Sequence, residues 1–213
     1  MEASTLHAKL KLVREKQDIK LPATPYLIDK IKKRDGTEVE FSLRPYQRQM
    51  VIHLMAMKRF IVGDDTGLGK TVETIAALCQ LWAKDPTKKV LILTKKSSVP
   101  QWESEFERFT NGIKVFVADG SPEQRSKVTI EWQDLEGPSV LIQGYASAAI
   151  DFTRLQHFSG YILICDEATA FKNPKTRTHK VCQHYSNQAE RCWGLTATLI
   201  KNNLIEAYGI YRV

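Results

Sequence analysis

Lys89–Thr94 reads KVLILT, and its interior from Val90 to Leu93 has no polar position. A run this short and this apolar suits a strand covered on both faces, which is the environment of a parallel sheet. Phe60-Ile61-Val62, Val115–Val117, Ser139–Gln143, Tyr161–Cys165 and Arg191–Leu195 read as further short strands. Helical stretches separate them. Pro45 opens one through Lys58, with Tyr46, Met50, His53, Leu54 and Met57 at helical spacing. Others run over Gly69–Ala83, from about Val99 to Phe109, over Thr176–Asn187 and from Asn203 onward. One more starts at Ser121-Pro122-Glu123-Gln124, with Ser as cap, Pro at the first position and Gln at the third. Strand and helix alternate about six times. The expected fold is α/β: a doubly wound, mostly parallel sheet with helices on both faces. In such sheets ligands sit at the carboxyl ends of strands.

Residues 1–40 read differently and are expected to form a small basic appendage to a lobe spanning residues 41–213. Tyr26–Ile31, the turn pair Asp35-Gly36 and Val39–Phe41 predict a hairpin within it. The formal charge of +7 is uneven: residues 1–60 hold 13 Lys/Arg against 7 Asp/Glu. That bias suits a polyanion such as DNA or RNA, and equally a solvated basic surface. Cys79, Cys165, Cys182 and Cys192 form no CxxC pair, so they read as reduced core thiols rather than a zinc site. There is no apolar run of about 18 residues and no apolar core in the first 17, so neither a membrane span nor a secretory signal is read. An intracellular location is expected.

Two segments carry the chemistry. In Phe60–Thr71, FIVGDDTGLGKT, a strand enters a glycine-bearing loop that opens a helix. Gly67 and Gly69 let amides turn inward and phosphate oxygens approach. Lys70 brings a point charge to the β- and γ-phosphates, and the Thr71 hydroxyl suits Mg²⁺. The strict pattern GxxxxGK[ST] asks for glycine where this chain has Asp64. In Tyr161–Thr169, YILICDEAT, an apolar strand ends in Asp166 and Glu167. Asp166 is placed to hold Mg²⁺ through its water shell, and Glu167 to orient and deprotonate an attacking water. On its own the pair also reads as charge at a helix N-terminus.

Leu43-Arg44-Pro45-Tyr46-Gln47, the loop ending at Thr71, Asp166-Glu167-Ala168-Thr169, Lys172-Asn173 and Leu195-Thr196-Ala197-Thr198 occur in the order of superfamily 2 helicase motifs. Together they resemble the Swi/Snf-type branch of DNA translocases over residues 41–213. The resemblance implies a RecA-like lobe using ATP and Mg²⁺. It places Gln47 on the adenine edge, with Arg44 lining the same pocket. It places Asp65, Thr66, Gly67, Leu68, Gly69, Lys70 and Thr71 around the phosphates, and Thr196 and Thr198 between nucleotide state and nucleic-acid grip. Lys95, Lys96 and Ser97 fall in Leu93–Trp102 (LTKKSSVPQW), a segment resembling one that touches a nucleic-acid backbone; a solvated loop is the plain alternative. Tyr145 resembles another such contact, and core or surface filler fits it as well. Thr169 replaces the histidine of DEAH, while Ala197 and Leu199 stand where the branch has glycine and proline, which leans toward other superfamily 2 members.

The implied partners are duplex DNA above all and a second RecA-like lobe in the same longer chain, which supplies an arginine finger. No second phosphate loop is read in these 213 residues. The chain is therefore expected to be one lobe of a two-lobe motor, slow or inactive in hydrolysis alone. A stand-alone nucleotide or nucleic-acid binding module is the alternative. A different phosphate-loop enzyme such as a kinase is disfavoured by Leu43–Gln47.

Overall fold

The computed structural model describes residues 20–32, 35–198 and 209–213. A short antiparallel hairpin, β1 (Lys30–Lys32) with β2 (Glu38–Glu40), precedes the first helix, α1 (Pro45–Ala56). The main sheet has six strands: β3 (Arg59–Val62), β4 (Lys89–Thr94), β5 (Lys114–Ala118), β6 (Ser139–Gly144), β7 (Ile162–Asp166) and β8 (Arg191–Leu195). Every pairing in it is parallel, and the order is β3-β8-β7-β4-β6-β5. The intervening helices are α2 (Lys70–Lys84), α3 (Val99–Phe109), α4 (Pro122–Asp134), α5 (Tyr145–Ile150), α6 (Phe152–Leu155) and α7 (Arg177–Gln188).

The period-2 alternation of the strands sorts their side chains into two cores. Val90, Ile92, Val140, Ile142, Ile162 and Ile164 face a cluster with Ile75, Leu78 and Trp82 of α2 and Trp102 and Phe106 of α3. Leu91, Leu93, Leu141, Leu163 and Cys165 face the other, with Trp132 of α4, Tyr145, Phe171 and Tyr185 of α7. Helices on both faces thus follow from strands that are apolar at consecutive positions. Ser121 and Gln124 close the expected capping box on α4, through Ser121 N to Gln124 Oε1 (2.7 Å) and Gln124 N to Ser121 Oγ (3.3 Å).

The differences lie at edges and connections. The first helix ends at Ala56 rather than Lys58, and the hairpin strands are three residues each. α5 and α6 were not legible as helices, because Gly144 ends a strand and the six residues that follow show no long apolar period. The expected closing helix falls largely on residues 203–208, outside the described residues; residues 209–211 are helical. Residues 20–32 dock on the lobe. Ile28 N donates to Phe109 O (3.1 Å), Asn111 N to Tyr26 O (2.9 Å) and Gln80 Nε2 to Pro22 O (2.6 Å), while Leu21, Tyr26, Leu27 and Ile31 pack on the first core. All four cysteines are buried and free.

Candidate nucleotide site

Val62, Leu195 and Asp166 lie in register across three adjacent strands, β3, β8 and β7. At about 4.8 Å per strand spacing, the ends of β3 and β7 are about 10 Å apart. The loop after β3 and the carboxylates at the end of β7 therefore open on one rim of the sheet.

Gly67 (φ 82°) and Gly69 (φ 95°) both have left-handed backbone. Gly69 is the residue before α2, so the free amides of that helix start at Lys70 and face the rim. A side chain at position 69 would run into the Gln47 amide. Lys70 Nζ donates to the carbonyls of Asp64 (2.7 Å) and Asp65 (2.9 Å). Thr71 is half-buried beside it in the first turn. Asp65, Thr66 and Leu68 are exposed along the loop.

Gln47 is buried and ties α1 to this loop. Its Oε1 accepts from Arg44 N (2.9 Å) and its Nε2 donates to Leu68 O (3.2 Å). Tyr46 Oη donates to the same carbonyl (2.9 Å). Its amide thus holds the start of its own helix and the loop, and keeps one N–H and one oxygen lone pair beyond these two bonds. Arg44 is exposed at the start of α1.

Asp166 is held by three donors. Oδ2 accepts from Thr94 Oγ1 (2.9 Å) and Trp102 Nε1 (2.8 Å), and Oδ1 from Glu167 N (2.9 Å). Glu167 has φ 52°, the one non-glycine residue with positive φ among those described. Such backbone costs about 1–3 kcal/mol and persists where the surroundings impose it. Here it turns the chain sharply from β7 into the short helical turn Ala168–Phe171. Lys95 Nζ lies 3.7 Å from Glu167 Oε2. At the end of β8, Thr196 N donates to Val62 O (3.0 Å), which joins Thr196 to the root of the phosphate loop. Thr196 Oγ1 and Thr198 close a local turn through 3.1 Å bonds in both directions.

Lys95, Lys96 and Ser97 are exposed just past β4, with Lys96 Nζ 3.4 Å from Asp119 Oδ1. Lys95 and Lys96 border a groove that also touches Pro100, Gly144 and Ile150. Tyr145 packs in the second core, and its hydroxyl donates to Asp166 O (2.6 Å), so it supports the carboxylate strand; of its two readings the core one describes most of its side chain, which is 7% exposed at the groove beside Lys95 and Lys96.

Sequence reading missed the parts played by Thr94, Trp102 and Glu73. Thr94 and Trp102 lie within Leu93–Trp102, and nothing local ties either of them to Asp166. Glu73 is fully buried in α2, with neither carboxylate oxygen hydrogen-bonded. Burial, reinforced by the nearby Asp64 charge and opposed by Lys70, pushes its carboxyl up to about 7.

The family model of the SNF2-related domain matches residues 46–212. The chain belongs to the SNF2-related family. This resolves the leaning of Ala197 and Leu199 toward other superfamily 2 members. The SNF2-related chain is 32% identical over 174 residues to Helicase SWR1 of Eremothecium gossypii, covering 79% of this chain and 12% of that protein. It is 32% identical over 176 residues to Chromodomain-helicase-DNA-binding protein 1-like of Mus musculus, covering 80% and 19%. The solved SWI2/SNF2 ATPase core of Sulfolobus solfataricus in complex with dsDNA matches with a TM-score of 0.70 and 27% identity, covering 90% of this chain and 37% of that one. The SNF2-related chain thus spans less than a fifth of these two curated relatives. Its fold is that of an ATPase-core lobe, and no helix among the described residues is long and apolar enough to cross a membrane.

Proposed function

We propose that this chain is the ATP-binding lobe of a nucleic-acid-dependent ATPase, one half of a two-lobe motor that translocates on duplex DNA inside a cell. The reading is carried by the register of Val62, Leu195 and Asp166, which sets the phosphate loop and the carboxylate pair on one rim.

The α2 amides and the Lys70 ammonium bind the triphosphate, with Lys70 exchanging the Asp64 and Asp65 carbonyls for phosphate oxygens. The residues present fit Mg²⁺. Among those described, no group of three or more His, Cys, Asp or Glu could cage a metal, and this ion needs only one or two protein oxygens when phosphates and waters complete its shell. Thr71 and Asp166 would hold it, and when bound it neutralises phosphate charge. Glu167 accepts the proton of the attacking water. Thr196 joins the two halves of the site, because its amide holds the end of β3 while Leu195 pairs with Asp166. Lys95, Lys96 and Ser97 lie beyond β4, where they suit phosphate contacts of a duplex. The solved relative with dsDNA favours that substrate over RNA.

The test is nucleotide binding followed by turnover. The chain should bind a fluorescent ATP analogue, Lys70→Ala should lose that binding, and Glu167→Gln should keep it. Alone, the chain should turn ATP over slowly or not at all, because related phosphoryl transfers gain roughly 10³–10⁵ from an arginine finger. Joined to a second lobe it should hydrolyse ATP faster with duplex DNA than with single strands or RNA, and Glu167→Gln should abolish that turnover. Binding unaffected by Lys70→Ala would overturn the assignment.

A further inference from the structure

The hydrogen bonds on Asp166 fix which of its oxygens faces the rim. An ionised carboxylate has about four acceptor positions, two on each oxygen. Oδ2 takes the Thr94 hydroxyl at 2.9 Å and the Trp102 indole N–H at 2.8 Å. Oδ1 takes the Glu167 amide at 2.9 Å, its one donor among the described residues. Oδ2 is thereby filled, and Oδ1 keeps one position.

Neither donor side chain is placed to touch a ligand. Trp102 is 1% exposed and Thr94 fully buried. The Trp102 ring is locked against Phe106, centroids 6.1 Å apart. Packing alone requires an aromatic ring at 102, but not an indole aimed at a carboxylate. Tryptophan has a single donor and no acceptor, so its direction here serves Asp166 alone.

We propose that Trp102 and Thr94 are positioning residues for the metal carboxylate: they pin Asp166 Oδ2 so that Oδ1 is the oxygen presented to Mg²⁺ or its water shell. The inference rests on the reading of Asp166 as the magnesium carboxylate. Partners that orient a metal ligand from behind cost about 10- to 100-fold in metal affinity when removed.

The test measures binding of a fluorescent ATP analogue to the 213-residue chain, in EDTA and across a Mg²⁺ titration. Trp102→Phe keeps the ring and removes the donor. Thr94→Val removes the hydroxyl, and Thr94→Ser restores it. Trp102→Phe and Thr94→Val should each raise the Mg²⁺ needed for half-maximal effect about ten-fold or more, leave Mg²⁺-free affinity unchanged, and be matched by rescue in Thr94→Ser. Equal loss of affinity with and without Mg²⁺ would reduce both residues to packing and overturn the proposal. Asp166→Asn separates the two levels. If it raises the Mg²⁺ requirement while Trp102→Phe and Thr94→Val do not, the positioning role fails and the metal reading stands. If Asp166→Asn itself leaves the requirement unchanged, the metal reading falls and the positioning role with it.

Discussion

Glu73 is the side chain whose removal should stabilise this fold. It is fully buried, and neither of its oxygens has a hydrogen-bond partner. A carboxylate in the first turn of a helix is ordinarily favoured by the helix dipole, by about 0.3–1 kcal/mol. Desolvation outweighs that here and lifts the carboxyl from an ordinary 4.5 to about 7, with Asp64 adding to the rise and Lys70 opposing it. The sign follows from proton counting. Below 4.5 both folded and unfolded chains hold the proton. Between 4.5 and about 7 the folded chain keeps it while the unfolded chain releases it, so stability falls as pH rises. At 1.36 kcal/mol per unit the loss reaches about 3 kcal/mol by pH 7 and is constant above. Glu73→Gln mimics the protonated acid and removes this linkage. Urea denaturation of both proteins at pH 5, 6, 7 and 8 should give a gap in favour of the variant that widens to about 1–3 kcal/mol and then levels off. At about 2–4 °C per kcal/mol for a chain of this size, the gap should also appear as a higher melting temperature at pH 8. Parallel stability curves for the two proteins would refute the argument.

Gly69→Ala should cost about 2–3 kcal/mol and weaken nucleotide binding, because left-handed backbone and the displaced Gln47 amide both count against it. Gly67→Ala should cost only the backbone share of about 1–2 kcal/mol, since nothing lies in the path of its methyl; urea melts compare the two. Tyr145→Phe should lower stability by about 1 kcal/mol through the lost bond to Asp166 O and leave duplex affinity unchanged, as a filter-binding titration would show. Lys96→Ala should weaken duplex binding uniformly across sequences and reduce the salt slope of log K by about one.

Much of the architecture was legible because it rests on local chemistry. KVLILT announces a doubly covered strand, and Ser121 with Gln124 announces a helix start, without reference to anything distant. The candidate residues Lys70, Asp166 and Glu167 could be named because each lies in a local motif at a strand end, and the register brings those ends to one rim. The site was illegible where a side chain serves another side chain. Trp102 sits 64 residues from the carboxylate it touches, and its helical neighbours Val99 and Phe106 make it look like ordinary core. Tyr145 was open between surface contact and core because a tyrosine after a strand suits both; only the second core settles which way the ring turns. Glu73 gave no signal at all, since an acidic residue in a first helical turn looks solvated until the first core closes over it.

Asp64 shows why a residue pattern and a backbone requirement are different things. The strict phosphate-loop pattern demands glycine there, yet among the described residues only Glu167 combines a side chain with positive φ, so position 64 has no conformational need for glycine. The loop's two left-handed positions, 67 and 69, are both glycine. What position 64 supplies is its carbonyl, which receives the Lys70 ammonium, and any residue can supply that. Its side chain then acts on a different neighbour, adding to the rise of the Glu73 carboxyl while Lys70 opposes it. Aspartate at position 64 thus leaves the loop backbone unstrained, and its charge is the smaller contribution, after burial, to the rise of the Glu73 carboxyl.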